Sequence, residues 1–210
     1  MKKSILLFAG LVLIGCSSQD ISAVAEAQTI EPRTGSVDTA IFAGGCFWCV
    51  ESDFEKLPGV ISAISGYTGG VTDNPTYKEV TYKETGHYEA VKITFDPSVV
   101  AYDELLSHFW KTVDPTDPNG QFCDKGSSYK TAIFARADQL SLAQQSKDKI
   151  EITKPFKAPI VTPVLEASQF YEAEDYHQDY YKKNPIRYKY YRTGCGRDKR
   201  LKQLWGAKTN

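Results

Sequence analysis

The chain has 210 residues, 41% hydrophobic and 24% charged, with a formal net charge of −1. This length suits one domain around a single sizeable core, and the near-neutral charge argues against a nucleic-acid partner. No internal repeat is present.

Lys2 and Lys3 precede an apolar run from Ile5 to Ile14 that is too short to span a bilayer but suits the h-region of a secretory signal. Its ending, Leu13-Ile14-Gly15-Cys16, resembles a bacterial lipobox, in which Cys16 would carry lipid and become the first mature residue. The alternative is an ordinary cleaved signal with an incidental cysteine, and both predict a cell-envelope, extracytoplasmic location. Residues 16–37 are rich in Ser, Ala, Gln, Thr and Glu and lack aromatics, so they read as a tether between a 1–15 signal and a 38–210 domain.

Thr39 to Ala43 is a short β-prone run that Gly44 and Gly45 end, and Cys46 follows at the head of a helix predicted to reach Leu57 before Pro58-Gly59. A cysteine at a helix N-terminus has its thiolate stabilised by free N–H groups and the positive dipole end, which predicts a lowered pKa. Phe47 and Trp48, poor surface residues directly after the thiol, read as the wall of an apolar pocket. Cys46 and Cys49 form a Cys-x-x-Cys pair at this strand-to-helix turn, a spacing that favours redox chemistry over structural staples.

Further along, strands are predicted at Val60 to Tyr67 and His87 to Phe95, the second by its alternation. Tyr102 to Val113 carries Leu105, Leu106, Phe109, Trp110 and Val113 at helical spacing. A strand at Tyr129 to Ala135, a helix at Ser141 to Ile152 and a strand at Ile160 to Leu165 follow. The tail from Glu172 reads as aromatic, basic and mostly irregular, with Tyr180, Tyr181, Lys182, Lys183, Arg187 and Lys189 as a solvated or substrate-adjacent surface. The pattern predicts a two-layer α+β sandwich with a mixed, largely antiparallel sheet, a ferredoxin-like plait.

Gly45-Cys46-Phe47-Trp48, Gly66-Tyr67-Thr68-Gly69-Gly70, Asn74-Pro75-Thr76-Tyr77, Thr85 to Val91 and Ala173 to Gln178 together resemble the peptide methionine sulfoxide reductase A family. The resemblance implies reduction of the S epimer of methionine sulfoxide, in proteins and as the free amino acid. Cys46 would be the nucleophile and Glu89 the acid that protonates the sulfoxide oxygen, suited to this by burial on a strand face. Tyr77 and Tyr129 would hydrogen-bond that oxygen, Asp124 would lie near substrate, and Phe47 and Trp48 would cup the methyl group. Cys46 would be left as a sulfenic acid, to be condensed with a second thiol. Cys49, one turn away on the same helix face, is the first candidate for that step and Cys195 the second. Cys123 stays open between a relay and plain packing. The resemblance implies no metal or other cofactor, a thioredoxin-like reductant, a membrane link through N-terminal lipid only, and a monomer.

Three rivals fit parts of the sequence: an envelope thiol-disulfide oxidoreductase, a four-cysteine zinc site, and a noncatalytic lipoprotein. His87, His108 and His177 are scattered and read as structural or as supports for other groups.

Overall fold

In the computed structural model, which describes residue 35 and residues 37–206, three strands supply the centre of the sheet. These are β1 (Asp38–Gly44), β2 (Val60–Thr68) and β3 (Tyr88–Phe95). Helix α1 (Phe47–Phe54) connects the first two, and α2 (Tyr77–Tyr82) lies between the second and third. Next come α3 (Tyr102–Thr112), a small hairpin of β4 (Gly120–Gln121) and β5 (Asp124–Lys125), a 3-10 turn at Ser127–Tyr129, and β6 (Thr131–Ala135). The chain then forms α4 (Leu140–Thr153), β7 (Val164–Glu166), β8 (Tyr171–Glu172), α5 (Tyr180–Lys183), α6 (Pro185–Gly194) and α7 (Arg197–Trp205). Cys16 and the whole 1–15 segment lie outside the described residues.

The main sheet has the order β7-β6-β1-β3-β2-β8. Its pairings are antiparallel except for β6 with β7. In each of the β1-α1-β2 and β3-α3-β6 units the two parallel strands are separated by a strand of the other unit, which is the split βαβ arrangement of the expected plait. Strand parity explains the core. Val91, Ile93 and Phe95 of β3 point to the helix-covered face, where Phe42 stacks between Phe54 and Phe109 at centroid distances of 5.1 and 5.0 Å. Fully burying a side chain of this kind stabilises the fold by roughly 1.5–3 kcal/mol. Alternate residues Ala43, Ala90 and Ala132 join Phe134 in a smaller cluster packed with Leu165 and Phe170.

Two expectations are corrected. The tail is mostly helical rather than irregular: α5, α6 and α7 follow one another, with Pro185 at the start of α6 supplying a preset φ. These helices lack the clean apolar stripe that announced α3, because each buries only a few residues. The strand expected at Ile160 to Leu165 begins only at Val164.

Candidate active site

Gly45 makes the turn from β1 into α1. Its φ of +79 lies in the left-handed region, and a Cβ there would sit 2.5 Å from Cβ of buried Gln121, so both conformation and space require glycine. The tight turn leaves Cys46 as the N-cap of α1, with its carbonyl accepting from Cys49 N–H at 3.0 Å. One of the free N–H groups at this helix start, that of Phe47, donates to Oε2 of Glu89 at 3.0 Å.

Glu89 is only 2% exposed, on the same face of β3 as Val91 and Ile93. Burial pushes its carboxyl up to about 8, against a partial lowering by the Phe47 N–H. At neutral pH it holds a proton beside the cysteine. Tyr77, at the start of α2, and Tyr129, at the end of the 3-10 turn, lie beside one another and face Glu89 and, from Tyr77, Cys46. Tyr77 is held by Glu174, which accepts its N–H at 2.9 Å and the Tyr67 hydroxyl at 2.8 Å. Phe47 packs 6.4 Å from Tyr77.

The thiol itself departs from expectation. Burial, then the hydrogen bond with Cys49, hold the Cys46 pKa well above the usual thiol range. Desolvation of a nearly enclosed sulfur outweighs the partial charge of a helix terminus. The lowered thiol is Cys49, brought to about 7 by the hydrogen bond from Cys46, against burial, and by the cations Arg197 and Arg192. Arg197 is 2% exposed, and its guanidinium donates to the carbonyls of Gly44 and Thr112 and lies 4.6 Å from the Phe122 ring centroid.

Cys195, the second candidate partner for Cys46, is instead bonded to Cys123, with Cα atoms 4.8 Å apart. Cys46 and Cys49 are free and buried, whereas Cys123 is exposed. The four sulfurs therefore form two pairs with different environments. Among the described residues, the three-residue clusters able to gather ligand atoms are Cys123, Asp124, Cys195 and Glu51, Glu55, Asp179, and neither contains Cys46 or Cys49.

The C-terminal helices supply what sequence reasoning missed. Trp48 stacks on Tyr180 at 3.7 Å and 6°, and its indole N–H donates to Nδ1 of His177 at 3.0 Å. His177 lies 4.9 Å from Phe47 and 4.4 Å from Tyr77, and burial lowers it to about 4, so it is a neutral acceptor. Tyr191 of α6 packs against the buried cluster that contains Cys46 and Cys49, stands edge-on to Trp48 at 5.7 Å, and donates its hydroxyl to Oδ2 of Asp124 at 2.5 Å. Only the Ala173 to Gln178 motif signalled His177; thirteen tyrosines gave no means of choosing Tyr180 or Tyr191. A buried dithiol, a protonated acid, two neighbouring phenols and an aromatic wall suit nucleophilic attack by sulfur on a polar, uncharged group that must be protonated as it reacts.

The family model described as peptide methionine sulfoxide reductase matches residues 38–209. An MsrA of Bacillus licheniformis is 55% identical over 172 residues, 81% of this chain and 95% of that relative. MsrA 2 of Caulobacter vibrioides is 48% identical over 209 residues, 99% of this chain and 100% of that relative. An MsrA/MsrB protein of Vibrio cholerae is 50% identical over 183 residues, 87% of this chain, and the match spans 48% of that protein's length. Among solved structures, reduced Mxr1 from Saccharomyces cerevisiae is similar with a TM-score of 0.68 at 30% identity, covering 76% of this chain and 92% of that one. Fold, site and relatives converge: the chain belongs to the peptide methionine sulfoxide reductase family.

Proposed function

We propose that the chain reduces the S epimer of methionine sulfoxide, in proteins and as the free amino acid, to methionine. The observation that carries this reading is the Glu89 carboxyl, held up to about 8 and hydrogen-bonded to the residue after Cys46. A sulfoxide oxygen is a poor leaving group until protonated, and Glu89 is an acid that still has its proton at neutral pH.

In this mechanism the Cys46 sulfur attacks the sulfoxide sulfur as Glu89 protonates the oxygen, and Tyr77 and Tyr129 stabilise the charge that develops there. Phe47 and Trp48 hold the methyl group. The sum of the step is thiol plus sulfoxide to sulfenic acid plus methionine, with the sulfoxide reduced to the thioether and Cys46 oxidised by two electrons. Cys49 then attacks the Cys46 sulfenic acid, expelling water and closing a disulfide. Its proximity to Cys46 and lowered pKa support this assignment over Cys195.

A thioredoxin-like dithiol protein would reopen the disulfide. Lipid attachment at Cys16 and an envelope location follow from Lys2, Lys3, the Ile5 to Ile14 run and Gly15-Cys16. Among the described residues, no helix is long and apolar enough to cross a membrane. The function is tested by incubating the purified chain with dithiothreitol and a peptide carrying each sulfoxide epimer. Methionine from the S epimer is expected, and its absence overturns the reading. Palmitate labelling lost in Cys16→Ala tests the anchor.

A further inference from the structure

Cys46 and Cys49 are 6% and 2% exposed, yet the proposed cycle brings two visitors of very different size to their sulfurs. A methionine side chain is thin, whereas a dithiol protein that reopens a Cys46–Cys49 disulfide must bring its own sulfur into line with that bond. The side chains over the pair come from one segment. Apart from Trp48 of their own helix, those clustered on the two cysteines are Tyr180 and Tyr181 of α5 and Tyr188 and Tyr191 of α6. Helices α5 and α6 together form a strap across the buried thiols.

The strap is held at both ends. At its head, the N–H of Asp179 donates to buried Glu51 at 2.5 Å, and the Gln178 side chain exchanges two hydrogen bonds with the backbone of Ser65. At its foot, Cys195 caps α6 and carries the bond to exposed Cys123. The ties between are non-covalent: Tyr181 to Glu55 at 2.7 Å, Tyr191 to Asp124 at 2.5 Å and Arg192 to Asp53 at 2.9 Å. Gly194 and Gly196 flank Cys195, a Cβ on either would meet nothing within 4 Å, and Gly196 has a φ of +70. Such a junction lets α6 turn while α7 stays seated through buried Arg197, Leu201 and Leu204.

We propose that the Cys123–Cys195 bond is a redox latch on this strap. A thiolate of a dithiol protein attacks the exposed Cys123 sulfur, Cys195 leaves as a thiolate, and the second thiol of the dithiol protein closes that protein's own disulfide. Two electrons and two protons pass to Cys123 and Cys195, and the dithiol is oxidised. With its foot free, the strap lifts at the Cys195 end and a second dithiol reaches the buried pair. The latch thus couples repair to the supply of reductant, since an oxidised latch keeps the strap shut on Cys46 and Cys49. The identity of the visitor rests on the sulfoxide-reductase reading above; the strap and its latch do not.

The test is the rate at which iodoacetamide modifies Cys46 and Cys49 in the full chain with its latch intact and in Cys123→Ser with Cys195→Ser. It is read by mass spectrometry of the peptide that carries both thiols, at increasing urea below the unfolding transition. Modification about tenfold or more faster in the double variant is expected, with little dependence on urea, because a local lift exposes little surface. Equal rates, or a faster rate that rises with the full urea slope of global unfolding, overturn the latch. Turnover driven by a thioredoxin, its reductase and NADPH should begin with a lag in the latched wild type and without one in the double variant, and a linear start in the wild type also overturns it. Wild-type protein that forms no methionine overturns the reductase reading and leaves the alkylation result standing.

Discussion

The two cysteine pairs of this chain differ in nearly every physical respect. Cys46 and Cys49 sit one turn apart on one helix, buried and reduced, beside a protonated carboxyl and two arginines. Cys123 and Cys195 are 72 residues apart, nearer the surface and bonded, and they tie the β5 hairpin to the end of α6. The contrast shows that thiol chemistry is set by enclosure and neighbouring charge rather than by cysteine count. In the proposed mechanism it also separates labour: one pair reacts, and the other holds the groups around it.

Arg197 links the two regions, because it follows Cys195 by two residues and donates to the carbonyl of Gly44, two residues before Cys46. Arg197→Ala should have the largest effect. Removing it leaves the buried carbonyls of Gly44 and Thr112 without their donor, while Asp53 keeps Arg192 at 2.9 Å, at a cost of about 1–3 kcal/mol for each unpaired carbonyl in urea unfolding. It should also raise the Cys49 pKa, measured by thiolate absorbance. A fall in stability with no change in Cys49 would break the proposed link.

Cys123→Ser with Cys195→Ser should cost less, about 2–4 kcal/mol, since closing a long loop restricts the unfolded chain. The same variant should still yield one methionine per chain without reductant. Unchanged stability would remove the staple role, and loss of methionine would place this pair in the chemistry.

The smallest effect concerns pH. The folded-state pKa of Glu89 is raised above its ordinary value of 4.5 to about 8, so the proton-donating form is present below about 8 and lost above it. kcat/KM should therefore fall about tenfold per pH unit above that point, or ~1.4 kcal/mol per unit. The raised pKa also makes the Glu89 contribution to stability largest at low pH and lost as pH rises through about 8. A flat alkaline limb would show that another group donates the proton.

The sequence carried much of the fold. Alternation in His87 to Phe95 and the Leu105 to Trp110 stripe report burial on one face, and those elements form as expected. Glu89 falls on the buried face with Val91, but only the family motifs separated it from a solvent-facing glutamate. The C-terminal helices were hidden because their buried side chains are mostly Tyr, Arg and a few Leu, which leave no apolar period. The Cys123–Cys195 bond joins residues brought together only by the fold. The sign of the Cys46 shift was missed because a helix N-terminus is visible in sequence, whereas the enclosure that outweighs it is not.

The central claim is that the buried pair alone completes a turnover. The most direct measurement is mass spectrometry of the chain after one reductant-free turnover with methionine sulfoxide. One methionine per chain, a new Cys46–Cys49 disulfide and an unchanged Cys123–Cys195 bond are expected. Cys46 joined to Cys195 or Cys123 instead would contradict it.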